Sequence, residues 1–173
     1  MLAIALGAAA VSAIATLGGC AADPAVGYSF ASTRDSSIDS VAVPIFDNAT
    51  FYPGLETRLT GAVVTEIQRT TDWAVVHEDR AATVLRGVVR RVDQRPLSFG
   101  RRTGLVEEMG LTLTVDFEWE DPATGRTLVA RRNFSSSTTF VPARPSAEPV
   151  ERGLIDVTDR MARDIVRELR GAW

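Results

Sequence analysis

The sequence contains no lysine: all 19 of its basic residues are arginine, set against 22 Asp and Glu. It has one cysteine, Cys20, and one histidine, His77. A single Cys excludes an internal disulfide framework and a Cys-rich zinc site. A lone His with no second His, free thiol or carboxylate motif near it gives a metal centre no support, so no metal and no cofactor is expected. His77 reads instead as a surface residue at a strand end. The net charge of −3 gives no reason to expect a polyanion-binding protein, and nucleic acid is not expected as a partner. No Gly-rich phosphate loop follows a strand, and Ser135-Ser136-Ser137 lacks the strand–turn–helix setting of a catalytic serine. Asp116, Glu118 and Glu120 share one strand face and read as its wet side rather than as an acid–base pair. With these candidates set aside, no enzyme signature remains. Internal repeats are also missing.

Charge is absent from the start of the chain as well, since the first charged residue is Asp23. Leu2 to Leu17 is an unbroken run of Leu, Ile, Val, Ala, Gly, Ser and Thr. That is short of the ~20 apolar residues of a membrane-spanning helix and matches the apolar core of a secretory signal. The run ends in Leu17-Gly18-Gly19-Cys20, which resembles a bacterial lipobox: small residues fit the peptidase, and the thiolate takes the lipid. Cleavage is therefore expected between Gly19 and Cys20, with Cys20 acylated. A signal normally opens with Lys or Arg, so the true start is expected upstream of Met1. Ala21 after the Cys, where Asp would retain a lipoprotein in the inner membrane, is compatible with outer-membrane sorting. Acyl chains would anchor the protein, each buried CH2 contributing ~0.8 kcal/mol.

The expected organisation is a signal peptide at 1–19, an acylated Cys and tether at 20–39, and one domain at 40–173. Val41-Ala42-Val43-Pro44-Ile45-Phe46 reads as a first strand whose Pro favours an edge, and Asp47 to Thr50 as a turn. After Pro53-Gly54, Leu55, Leu59, Ala62, Val63 and Ile67 recur at helical spacing. Trp73 to His77 reads as a short strand and Thr83 to Val92 as a longer one. Leu111 to Glu120 alternates strictly, apolar at odd and polar at even positions, as an antiparallel strand with one buried face does. Asp121 to Arg126 is a turn, Thr127 to Phe134 the returning strand, and Ser135 to Glu148 a loop. Val150, Leu154, Val157, Met161, Ile165 and Leu169 line one face of a final helix. The fold class is α+β: a two-layer sandwich of two helices on one small, mostly antiparallel sheet, in the order β-α-β-β-β-α.

Arg90, Arg91, Arg95, Arg101 and Arg102 lie close together in sequence, flanking an expected loop at 96–104. A guanidinium fork binds phosphate oxygens in pairs, so these five are candidates for a phosphorylated ligand. The bland alternative is a solvated face in a chain whose every basic residue is Arg.

Several segments taken together resemble the LptE-type lipopolysaccharide-assembly lipoproteins. They are Gly27-Tyr28 soon after the Cys, Val41 to Thr50, Pro53-Gly54-Leu55-Glu56, Leu59-Thr60, and Ala81 to Gly87. The resemblance implies a non-catalytic lipoprotein on the periplasmic face of the outer membrane. It also implies a β-barrel partner of the LptD type, which such a protein helps to assemble and plugs, and lipopolysaccharide as ligand. The assignment of the five arginines to lipid A phosphates comes from their chemistry, not from the resemblance. Strands like Val41 to Thr50 also open other envelope lipoproteins, including activators of peptidoglycan synthases and curli-secretion-like proteins, which form the alternative. An unrelated periplasmic lipoprotein enzyme is a third.

Overall fold

A computed structural model describes residues 38–102, 104–142 and 148–171. The signal, the Gly19–Cys20 cleavage site and all of the tether before Ile38 lie outside the described residues. The elements are β1 (Ser40–Ala42), β2 (Asp47–Asn48), α1 (Leu55–Thr70), β3 (Ala74–Val75), β4 (Thr83–Phe99), β5 (Val106–Asp121), β6 (Arg126–Phe140) and α2 (Glu148–Gly171), with a 3-10 turn at Glu78–Arg80.

The sheet is open and mixed, in the order β3-β1-β4-β5-β6, with β2 pairing further along β4. The three long strands form an antiparallel meander, while β1, β2 and β3 add short parallel pairings at one edge. The alternation of β5 decides which face is buried. Leu111, Leu113, Val115, Phe117 and Trp119 are all buried and meet Leu55, Leu59, Val63 and Ile67 of α1 and Leu154, Val157, Met161, Ile165 and Leu169 of α2 in one core. Trp119 stacks obliquely on Trp73 at 5.2 Å, and Phe117 meets Phe134 edge-on at 5.4 Å. The two helices thus cover one sheet face and leave the other open, as the fold class anticipates.

Several boundaries differ from the sequence reading. The observed order is β-β-α-β-β-β-β-α, with more strands than β-α-β-β-β-α. The expected first strand is split: Val43 to Phe46 leaves the ladder at Pro44, which has no N–H to donate. Phe46 turns inward there, its N–H donating to Thr60 Oγ1 at 3.0 Å. Its ring lies over Gly87, where a Cβ would come within 2.5 Å of it. Asp47-Asn48, expected as turn, is β2. Only Ala74–Val75 of the expected Trp73–His77 strand pairs.

The long strands are also longer than expected. β4 continues through Phe99, absorbing Pro96, and β6 continues through Phe140. Beyond Val89, the last residue paired with β2, β4 has no strand on its other side among the described residues, so a proline that withholds a donor is tolerated. Because β6 flanks β5 as far as Met109, opposite Pro96, the β4–β5 hairpin stands out as an arm only from Leu97 to its closing turn, roughly 10 Å at ~3.3 Å per residue. Its closing turn is held by Gly100 N–H to Leu105 O and Gly104 N–H to Gly100 O, both 2.8 Å, with Gly104 at φ +64°.

Candidate functional site

On the open sheet face, charged residues are matched across strands. Arg86 bridges Glu78 and Glu120, and Glu118 accepts from Thr127 Oγ1 at 2.7 Å. The centre of the face is Asp116. Its register neighbours are irregular on both sides: β4 bulges between Val89 and Arg91, and the β5–β6 register shifts between Val115 and Phe117. A bulge leaves a residue unpaired, and Asp116 secures both. Its Oδ1 accepts the backbone N–H of Asn133, which sits at φ +53°, and its Oδ2 accepts Arg90 Nε, each at 2.7 Å. The Asn133 N–H and then the Arg90 guanidinium hold the Asp116 carboxyl below the usual carboxylate range, against its own desolvation. Asp116 and Arg90 line a shallow depression of about 500 Å3 with Arg86, Val88 and Arg132. Arg90 is neutralised here by Asp116, and Arg86 and Arg131 by Glu78, Glu120 and Glu168 beyond it, whereas Arg132 makes no ion pair among the described residues.

The five sequence-nominated arginines therefore do not form one cluster. Arg90 is tied to Asp116, and Arg91 to Asp93 at 2.6 Å. Arg95 lies at the base of the arm, opposite Gly110, which β6 still flanks at Thr139. Arg101 and Arg102 occupy the closing turn, exposed, and like Arg95 make no ion pair among the described residues. Three large apolar side chains share this end of the arm: Leu97, Phe99 and Leu105 are 43%, 57% and 41% exposed. Leu97 also lies over the space that a Cβ on Gly110 would take. The arm end thus combines guanidinium groups with exposed apolar surface, which complement the phosphates and apolar chains of a phosphorylated amphiphile. Sequence reasoning missed the apolar half, although Leu97-Ser98-Phe99 and Leu105 bracket Arg101 and Arg102.

His77 is exposed, its Nδ1 2.7 Å from Asp79 Oδ1. Among the described residues no three metal-ligating side chains come together. No described helix is long and apolar enough to cross a membrane.

With this geometry in view, the comparisons with known proteins are specific. The family model for LptE, lipopolysaccharide-assembly, matches residues 38–169. The chain belongs to the LptE family. No curated protein sequence matches it. Among solved structures it is similar to an uncharacterized lipoprotein B from Nitrosomonas europaea, with TM-score 0.53, 17% identity and coverage of 75% of this chain and 81% of that one. A hypothetical protein from Chlamydia trachomatis matches with TM-score 0.54, 10% identity and coverage of 77% and 96%. At such identities these structures speak to the fold, and they agree with the LptE-type arrangement of two helices on a mixed open sheet. The LptE match spans all but the last two described residues and includes the projecting arm.

Proposed function

We propose that this LptE-family chain is an outer-membrane lipoprotein, cleaved before Cys20 and acylated there, that partners a β-barrel of the LptD type. In that partnership it aids barrel assembly and the delivery of lipopolysaccharide to the cell surface, facing the periplasm and performing no chemistry on its ligand. The observation that carries this reading is the family match over residues 38–169. The arm supplies a physical route to the ligand. Arg101 and Arg102, with Arg95 behind them, meet the phosphates of lipid A, while Leu97, Phe99 and Leu105 meet its acyl chains. Arg90 and Arg91, already engaged with Asp116 and Asp93, serve the fold.

Purified lipopolysaccharide titrated against arginine variants tests the assignment. Arg101→Ser with Arg102→Ser is expected to weaken binding severalfold, with a larger difference at low salt, where exposed charges are screened least. Arg90→Ser is expected to leave binding near the parent value and to lower the melting temperature. Binding that is insensitive to Arg101 and Arg102 but lost with Arg90 would reverse the assignment.

A further inference from the structure

Phe51 has the greatest exposure of any large apolar residue among those described, with its ring wholly in solvent. A ring on an ordinary loop could fold back to shelter, but this loop is held on both sides of it. Asn48 is the hub. Its Oδ1 accepts the Thr50 N–H at 2.9 Å and the Thr50 hydroxyl at 2.7 Å. Its Nδ2 donates to Tyr52 O at 2.8 Å and to Glu56 Oε2 at 2.6 Å. Thr50 Oγ1 in turn accepts the Tyr52 N–H at 3.1 Å. Two further bonds fix the loop to β4: Ala49 N–H to Val89 O at 2.9 Å and Gln94 Nε2 to the Tyr52 hydroxyl at 2.7 Å. Only a side-chain amide can accept two bonds and donate two in this way. The residues before and after Phe51 are thus fixed while its ring is presented outward.

A single exposed apolar residue is unremarkable on a protein surface; an aromatic ring carried on a fixed backbone is the form of an interface anchor. The ordering cost of that backbone is met before binding, and buried aromatic side chains dominate interface energies. The nearest charges along the chain are acidic, Asp47 and Glu56. An anionic lipid surface would repel them, whereas a protein socket with a cationic rim would complement them.

We propose that residues 48–54 form a preorganised docking knob whose Phe51 seats in an apolar, cation-rimmed socket on the β-barrel partner. This rests on the barrel-partner reading given above and adds to it the contact that holds the two proteins together.

The test uses the full chain in cells, tagged, with a photo-crosslinking benzoylphenylalanine at position 51. The expected result is an adduct whose mass-spectrometric identity is the LptD-type barrel. An eluate that contains the barrel but shows no adduct at 51, or an adduct only with lipid or with a second copy of the chain, overturns the knob and leaves the barrel reading standing. An eluate without the barrel overturns both. In the purified complex, Phe51→Ala is expected to raise the dissociation rate about tenfold or more with the melting temperature of the free chain unchanged, and Phe51→Trp to restore it. Asn48→Asp keeps the ring but sets a carboxylate against Glu56. It is expected to weaken the complex in the parent and to have no effect when Phe51 is already Ala. A complex indifferent to Phe51→Ala overturns the proposal.

Discussion

Replacing Asp116 by Asn removes one charge from the middle of the open sheet face and leaves its shape nearly intact. Asn Oδ1 can still accept the Asn133 N–H, but its amide cannot accept from Arg90 Nε, so one charge-assisted bond is lost and the other becomes neutral. A hydrogen bond to a charged group contributes roughly 1.5–3 kcal/mol. The Arg90 side chain is about half exposed, which scales that contribution down. A net loss of about 1–2 kcal/mol at pH 7 follows, or roughly 3–8 °C of melting temperature for a domain of this length. The pH dependence gives the sharper test. Because the folded carboxyl titrates below its unfolded value of about 3.9, its stabilisation is fully present above about pH 5. It fades as pH falls through the folded pKa. The gap in melting temperature between parent and Asp116→Asn, followed by circular dichroism from pH 7 to pH 2.5, should therefore narrow toward the acidic end. A gap that stays constant across that range, or no gap at pH 7, would refute this account of Asp116.

Gly87→Ala should cost about 1–3 kcal/mol, as overpacking does, because its Cβ would strike the Phe46 ring. Adding Phe46→Leu should recover part of the loss in urea unfolding, and strictly additive losses would contradict the contact. Two other glycines should behave oppositely. Gly61→Ala, in an α1 position where a Cβ meets nothing, should stabilise by about 0.5–1 kcal/mol. Gly125→Ala, at φ +67°, should destabilise by about 1 kcal/mol. Both can be read from thermal melts. Cys20→Ala should abolish palmitate labelling and leave an unprocessed precursor, and normal processing would contradict acylation at Cys20.

How legible an element was depended on where it is buried. Leu111 to Glu120 alternates because one face lies under both helices, and the stripes of α1 and α2 are the other half of that core. The far half of β4 could not be read in this way. Asp93-Gln94-Arg95-Pro96 extends past the paired edge strands, so burial imposes no period on it. Those residues are held as strand by pairing with β5, a long-range cause that local pattern does not carry. The same gap hid the candidate site. Arg90 and Arg101 look equivalent as sequence neighbours, yet one is clasped by an aspartate at a bulge and the other, in a turn, has no ion pair among the described residues. Bulges depend on cross-strand register, and register is not written in the spacing of arginines.

The central claim is that the chain serves lipopolysaccharide assembly through a barrel partner, and affinity purification of the tagged chain from native outer membranes tests it most directly. The account predicts recovery of a large LptD-type β-barrel together with lipopolysaccharide; recovery of a peptidoglycan synthase in its place would contradict it.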